Sequence, residues 1–329
     1  MLSRLDDHFA HQNNRPLDEL DSRDPFWQEA LYFNLHTPDG RCSAIGGLDV
    51  FPNSGFAAAW LMVEVAGTHC VNFQTGPIDA NWRDEMGVGP LRFQVIEPMQ
   101  RWRLSLRDEA NGIQGELEFE ARFAPVHFRP IRLEAGGEVV FDQSYFNQIG
   151  RFHGTLSVGD QTFSGFSGLR ARRWGVINAQ KLPFYNWISL PLAEGAIVAW
   201  QFETPEGEIL YCDGALIRGD GSRTAIVRLD HQWDLPAGNR HPTRVDVVLH
   251  LADGGTLPLS CRQLATHHVG AMPPRWSDAV PVERAYAETG ASSIELVGEF
   301  AVAGETAVGI YDIASRPGYR RYGLPALDC

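Results

Sequence analysis

The stretch Glu116-Leu117-Glu118-Phe119-Glu120-Ala121-Arg122-Phe123 decides the fold class. Charged and apolar side chains alternate through it without a slip. A strand sends successive side chains to opposite faces, so this pattern buries one face and wets the other. Leu104 and Leu106 alternate in the same way with Arg103, Ser105 and Arg107. Ala196, Val198, Trp200 and Phe202, and then Val245, Val247, Leu249 and Leu251, repeat the pattern in the second half. Residues 55–65 read as a more deeply buried strand.

Turn signals fall at hairpin intervals, at Asp39-Gly40, Asn111-Gly112, Asp220-Gly221 and Asp253-Gly254. Only Arg275 to Ala287 reads as helical, and Pro281 interrupts it. Residues 3–9 read either as a short amphipathic helix, with Leu5 and Phe9 at helical spacing, or as a docked N-terminal arm. The sum is an all-β chain of antiparallel strands, built as β-barrel or β-sandwich domains with few short helices.

The chain has 329 residues, which points to two domains. The expected boundary lies near Lys181-Leu182-Pro183, giving domains at 1–180 and 181–329. Tyr32 to Cys42 and Trp200 to Cys212 echo each other through an aromatic residue and a Thr-Pro-acid-Gly turn, as duplicated β-domains would.

Acidic residues number 41 against 28 basic, for a net charge of −13. A nucleic-acid surface would need a basic face, so no nucleic-acid partner is expected. No apolar run is long enough to span a bilayer as a helix. The five cysteines are scattered, with no CxxC pair, and a reducing cytoplasm is the expected location. There is no G-x-G-x-x-G, no Walker loop and no H-E-x-x-H, so neither a nucleotide cofactor nor a metal is expected. Aromatic residues make up 11% of the chain, which suits an apolar cavity for a hydrophobic small molecule.

Candidate site residues cluster around the midpoint. Tyr145, Asn147, Ile149, Arg151 and His153 share one face of an apparent strand, with Gln148 between them. If that face points inward, His153 is the natural acid or base, and Tyr145 and Asn147 can polarise a carbonyl or hydroxyl. A solvated outer face explains the pattern equally well. Ser164 to Gly175 packs Gly165, Gly168 and Gly175 with Arg170, Arg172, Arg173 and Trp174. It reads as a junction between domains, with Arg170 and Trp174 as substrate-binding candidates.

Tyr185, Trp187 and Trp200 supply further wall candidates. Gln201, Glu203 and Asp213 lie on or near second-half strands. Asp213, in Tyr211-Cys212-Asp213-Gly214, is the preferred acid of the three. A carboxyl group in an apolar cavity has its pKa raised and can act as an acid. His231 and the other isolated histidines read as structural or solvated.

The run Gly168-Leu169-Arg170-Ala171-Arg172-Arg173-Trp174-Gly175 resembles a Gly-x-Arg-Asp-x-Ser-Trp-Gly signature. Phe51-Pro52-Asn53, Phe93 to Pro98, and Gln148 to Gly154 fit the same wider pattern. On these residues the chain resembles a superfamily over roughly residues 27–225. Its members are the carotenoid 1,2-hydratase (hydroxyneurosporene synthase) proteins, kievitone hydratase-like proteins, AttH-like proteins and fungal lipocalin-like Diels–Alderases. The resemblance is closest to bacterial members of unassigned function. Ala171 stands where the signature has aspartate, and Arg173 where it has serine or histidine, so no role of that aspartate carries over.

The resemblance implies two lipocalin-like domains with an apolar pocket in or between them. It also implies cofactor-independent chemistry on hydrophobic, often terpenoid or polyketide, molecules; the expected substrate is a bulky terpenoid, steroid, polyketide or polycyclic aromatic. The leading expectation is a lyase, hydratase or isomerase working by acid/base catalysis. The alternatives are a pericyclase or cyclase working by preorganisation, and a non-enzymatic binder.

Overall fold

The computed structural model describes residues 2–9, 22–79, 82, 85–178, 181–237, 241–269, 292–315 and 319–323. The expected helix at Arg275–Ala287 lies outside these residues. The chain divides into two compact units, Met1–Thr37 with Arg41–Lys181, and Pro38–Gly40 with Leu182–Cys329. Both are antiparallel β-structure, as the alternation predicts. All four turn signals fall between paired strands.

The first unit holds β1 (Trp27–His36), β2 (Cys42–Phe51), β3 (Phe56–Val65), β4 (Thr68–Pro77), β5 (Glu85–Val88) and β6 (Leu91–Glu97). It continues with β7 (Arg101–Asp108), β8 (Ile113–Ala121), β9 (Val126–His127), β10 (Ile131–Ala135), β11 (Glu138–Val158) and β12 (Gln161–Ile177). They form one 12-stranded sheet in the order β4-β3-β2-β1-β12-β11-β8-β7-β6-β5, with β9 and β10 paired to β11. The sheet curls until β5 comes back against β3 and β4. Its inner face closes on a core in which Phe33 meets Phe93, Trp102, Phe119 and Phe152 at ring separations of 5.9–6.2 Å.

The stretch Ser164–Gly175 is not a corner between domains. It is the middle of β12, paired on one side with β1 and on the other with β11. Gly168 faces Gly150 across this pairing, and a Cβ on Gly168 would sit 2.0 Å from the Asn34 carbonyl oxygen. The signature glycine is there because three backbones pass too closely for a side chain. Arg170 and Arg172 are not solvated either. Both point to the inner face and are fully buried, each against a carboxylate: Asp7 at 2.6 Å and Glu29 at 2.8 Å.

Asp7 ends a single 3-10 turn, Arg4–Asp7, rather than an amphipathic helix. Leu5 is 74% exposed, while Asp7 and Phe9 are buried. The arm docks through a charge and one ring, not through an apolar stripe.

The second unit holds β13 (Phe184–Leu192), β14 (Gly195–Glu203), β15 (Ile209–Arg218), β16 (Arg223–Asp234), β17 (Arg244–Leu251), β18 (Thr256–His267), β19 (Ser292–Val302) and β20 (Glu305–Ser315). They close in chain order into a barrel, with β20 paired back to β13. Ile188, Leu190, Ile197, Ala199, Val247 and Leu249 are among the side chains that fill its interior. The echo noticed between Tyr32–Cys42 and Trp200–Cys212 is a hairpin in each unit, β1–β2 and β14–β15.

Two outcomes test this account. Gly168→Ala should cost about 2–3 kcal/mol of unfolding free energy, because the new methyl meets backbone that cannot yield; an unchanged denaturation midpoint would refute the close approach. His36 is buried on β1 with its Nδ1 3.4 Å from the Thr37 carbonyl oxygen and no partner at Nε2. Burial lowers its pKa from 6.5 to about 4, opposed in part by the Thr37 carbonyl. The unfolded chain therefore takes up this proton first as pH falls. The stability due to neutral His36 is intact above pH 6.5 and is lost between there and about pH 4, by about 3 kcal/mol in full. His36→Gln should flatten that acid slope in urea titrations at stepped pH; parallel slopes for the two proteins would contradict it.

Candidate functional site

The sequence-derived candidates separate into three places. Tyr145, Asn147 and His153 lie on the outer face of β11, and Gln148 on the inner face. Phe146 and Phe152, which share the parity of Gln148, are core residues. His153 is paired with Glu118 where a bulge interrupts the β11–β12 register, and its ring is exposed, with Nε2 2.8 Å from Glu120 Oε2. The inward reading of that face is corrected on geometry: His153 is half of a surface pair. Tyr145 stacks on Phe128 at 5.3 Å, and Asn147 is fully buried opposite Ala171.

Gln148 and Arg170 belong to one buried polar cluster. Arg170 Nε donates to Gln148 Oε1 at 2.9 Å, and Gln148 Nε2 donates to the Met99 and Phe123 carbonyls at 2.9 and 3.0 Å. Trp174 lies at the edge of this group, 6.5 Å from Phe146.

Tyr185, Trp187, Trp200 and Asp213 are brought together on the outer face of the barrel. Trp187 pairs with Trp200, and Trp200 with Asp213, across β13, β14 and β15. Tyr185, Trp200 and Phe202 contact one another at 4.7–6.0 Å. Asp213 is half-buried beside them, accepting from the Gly214 amide at 2.9 Å and facing the Tyr211 hydroxyl at 3.4 Å. His153 belongs to the first unit and Asp213 to the second.

A different cluster has the chemistry of a site. At one end of the barrel, where β14 and β16 finish, Glu203 is fully buried among donors. Its Oε1 accepts from His231 Nε2 at 2.6 Å and Gln201 Nε2 at 2.8 Å; its Oε2 accepts from the Tyr319 hydroxyl at 2.7 Å. Arg321 Nη1 reaches both oxygens at 3.2–3.3 Å. On the far side of the imidazole, the Tyr322 hydroxyl lies 2.7 Å from His231 Nδ1 and 2.8 Å from the His231 carbonyl oxygen, so its one proton is shared between two acceptors. Phe184 stacks on Tyr319 at 3.9 Å and Trp233 on Tyr322 at 4.3 Å, so the cluster is walled by rings.

The electrostatics fix the proton positions. Burial alone would raise the Glu203 carboxyl, but hydrogen bonds from His231, Tyr319 and Gln201 outweigh it and hold its pKa below the ordinary value. An ionised carboxylate only accepts, so His231 Nε2 carries the proton and Nδ1 is the basic nitrogen. Arg321 Nη1, 3.3 Å from the same Nε2, gives its protons to the carboxylate and not to the ring. Burial lowers the His231 pKa, with Glu203 opposing it, so the ring is neutral near pH 7. Burial raises both phenols, Tyr319 and Tyr322, which therefore stay protonated. Tyr322 is half-buried, and the relay Tyr322–His231–Glu203 opens outward through it.

One row deeper, Asn186 is fully buried between Phe184 and Ile188, and neither its amide oxygen nor its amide nitrogen has a partner. Its unpaired amide can donate and accept hydrogen bonds with a small polar group. A groove of about 690 Å³ crosses the outer face of β16–β18, walled by Asp230, Gln232, Asp246, Pro258 and Ser260. His231 is among the residues that line it, although its side chain has no exposed surface. Among the described residues no group of three or more His, Cys, Asp and Glu converges as metal ligands would.

Sequence reasoning weighed Gln201 and Glu203 below Asp213, set His231 aside, and passed over Tyr319, Arg321 and Tyr322. The readable signal was the aromatic–cationic run Tyr319-Arg320-Arg321-Tyr322 after the last strand.

Solved structures match this chain over most of its length. An AttH-like protein of Nitrosomonas europaea has a TM-score of 0.62 and 16% identity, covering 89% of this chain and 93% of its own. Kievitone hydratase from Nectria haematococca has a TM-score of 0.55 and 13% identity, covering 95% and 92%. CghA has a TM-score of 0.59 and 10% identity, covering 89% of each chain, and has also been solved with Sch210972. At these identities the likeness is one of fold. No curated protein sequence matches. The model of a family of unknown function, DUF8625, matches residues 2–278, and the chain belongs to that family.

Proposed function

We propose that this protein is a cofactor-independent acid/base catalyst that hydrates, dehydrates or isomerises a bulky, mostly apolar small molecule. The observation that carries the reading is the unbroken chain of contacts from the Tyr322 hydroxyl through His231 to Glu203, at 2.7 and 2.6 Å. A neutral imidazole oriented by a carboxylate is a general base with its lone pair aimed at one atom. Here that atom is the Tyr322 oxygen. As a proton leaves the substrate or its attacking water for Tyr322, the phenol passes its own proton to His231 Nδ1. The imidazolium is stabilised by Glu203. The reverse step returns a proton to carbon or to a departing hydroxyl, so charge and protons balance over the cycle.

The rings of Phe184, Trp233 and Tyr319 supply apolar walls, and Asn186 a polar anchor. A structural neighbour that is by name a hydratase, and another solved with a bound small molecule, agree with chemistry of this kind. Asp213, beside Trp187 and Trp200, is the second candidate acid. Its aromatic face also supports the reading in which shape alone preorganises or stores a ligand.

Incubation with terpenoid, steroid and polycyclic alkenes in D₂O, followed by mass spectrometry, separates these readings. Proton transfer leaves a solvent deuteron in the product; a pericyclic conversion leaves none, and a carrier returns the compound unchanged. Tyr322→Phe and His231→Asn should each lower kcat/KM by about 10²–10⁴-fold, while His153→Asn leaves it within about twofold. Deuterium incorporation that survives Tyr322→Phe but is lost in Asp213→Asn would move the chemistry to the aromatic face.

The pH dependence follows from the same shifts. His231 must be neutral to act, and burial lowers its pKa below 6.5. The rate should therefore rise through an apparent pKa below 6.5 and stay flat to beyond neutrality, since Tyr322 is raised above 10. An acid limb centred above 6.5 would contradict the assignment.

A further inference from the structure

The first unit buries a second ionic cluster, separate from the relay residues. Asp7 is held in a cradle of three donors on the inner face of the sheet: Arg170 Nη1 at 2.6 Å, Trp102 Nε1 at 3.2 Å and the Met99 backbone amide. Met99 adopts a φ of +65°, a left-handed conformation that a side-chain-bearing residue rarely takes. That backbone turn is what aims its N–H at the carboxylate. The guanidinium of Arg170 lies 5.3–5.7 Å from the rings of Phe146, Trp102 and Phe119, so the cradle is lined by aromatics.

Next to it, Arg172 carries the Phe9 ring 4.1 Å from its guanidinium carbon. Arg172 Nη1 and Nη2 donate to the Ala30 and His8 carbonyls and to Glu29, while its Nε is buried without a partner. The groups that fill this space come from a stretch outside the sheet. Asp7 supplies a carboxylate, and Phe9, two residues on, supplies a ring.

We propose that Arg170, Trp102 and Met99 form a binding site for an aromatic monocarboxylic acid, and that Asp7 and Phe9 occupy it as the chain's own surrogate ligand. The carboxylate of the acid takes the place of Asp7, and its ring takes the place of Phe9 on Arg172. Net charge in the cluster is unchanged by the exchange, because Glu29 stays with Arg172 and one carboxylate replaces another on Arg170. A neutral analogue would leave Arg170 buried without a counter-charge, so the site selects the ionised acid. This inference stands on the first unit alone and is independent of the relay in the second.

The test uses the full chain and 3-phenylpropionate, with 3-phenylpropanol as the uncharged control. Hydrogen exchange read by mass spectrometry follows the amides of residues 2–9. The carboxylate should raise their exchange about tenfold or more at saturation, and the alcohol should not. Asp7→Asn weakens the surrogate, so it should lower the half-saturating concentration of 3-phenylpropionate by about tenfold. If that variant fails to fold, the exchange measurement on the unmodified chain decides alone. Binding of 3-phenylpropionate without faster exchange at residues 2–9 would place it elsewhere and overturn the proposal, as would absence of binding at millimolar concentration.

Discussion

Two guanidinium groups on the inner face of β12 constrain the first unit. Arg170 and Arg172 are fully buried in a sheet core made of Phe33, Phe119, Phe152 and their neighbours. A charge cannot stay there unpaired; leaving one partner out costs ~3–5 kcal/mol. Each cation therefore fixes a piece of chain that the sheet alone would not hold. Arg172 fixes the start of β1 through Glu29 and Ala30, and Arg170 fixes the N-terminal turn through Asp7. The Gly150–Gly168 pair lies on the same strands, two residues from Arg170 on β12, where the β1 backbone leaves no room for a side chain at Gly168.

The second unit answers the same problem with the opposite sign. Its buried charge is the carboxylate Glu203, and the groups that compensate it come from the segment Tyr319–Tyr322 and from His231. A cation that needs a carboxylate gives a cradle for acids. A carboxylate that needs donors gives an oriented imidazole whose basic nitrogen faces the Tyr322 hydroxyl. The two units share a β-architecture, yet they bury charges of opposite sign.

The fold was legible because period-two alternation is a local signal. Glu116–Phe123 and Val245–Leu251 announce strands, and each Asx-Gly pair marks a hairpin without knowledge of what packs where. The site was not legible, because its members are far apart in sequence: Glu203, His231 and Tyr322 are joined only by closing the barrel. Inward and outward faces cannot be told apart when both carry polar residues. Tyr145, Asn147 and His153 do share a face, but it is the outer one, and the bulge beside His153 leaves that ring to solvent. Arg170 was readable as special but not as buried, since its neutralising Asp7 lies at the other end of the unit's sequence.

The departure at Ala171 now has a structural meaning. Residue 171 sits on the outer face of β12 opposite Asn147, so an aspartate there would add a carboxyl to that face, away from the cradle. This chain has alanine instead. Two residues on it carries Arg173, which spends its charge on Asp49 at 3.2 Å. Compared with the resembled signature, that face has alanine at the acid's position and carries a cation paired with Asp49. Arg170, the signature arginine, is turned inward and already saturated by Asp7 and Gln148. Proton transfer needs a titratable group with a directed partner and a route outward. Among the described residues Tyr322, His231 and Glu203 meet that requirement together, which is why the proposed chemistry is placed at the barrel end and not on the signature strand.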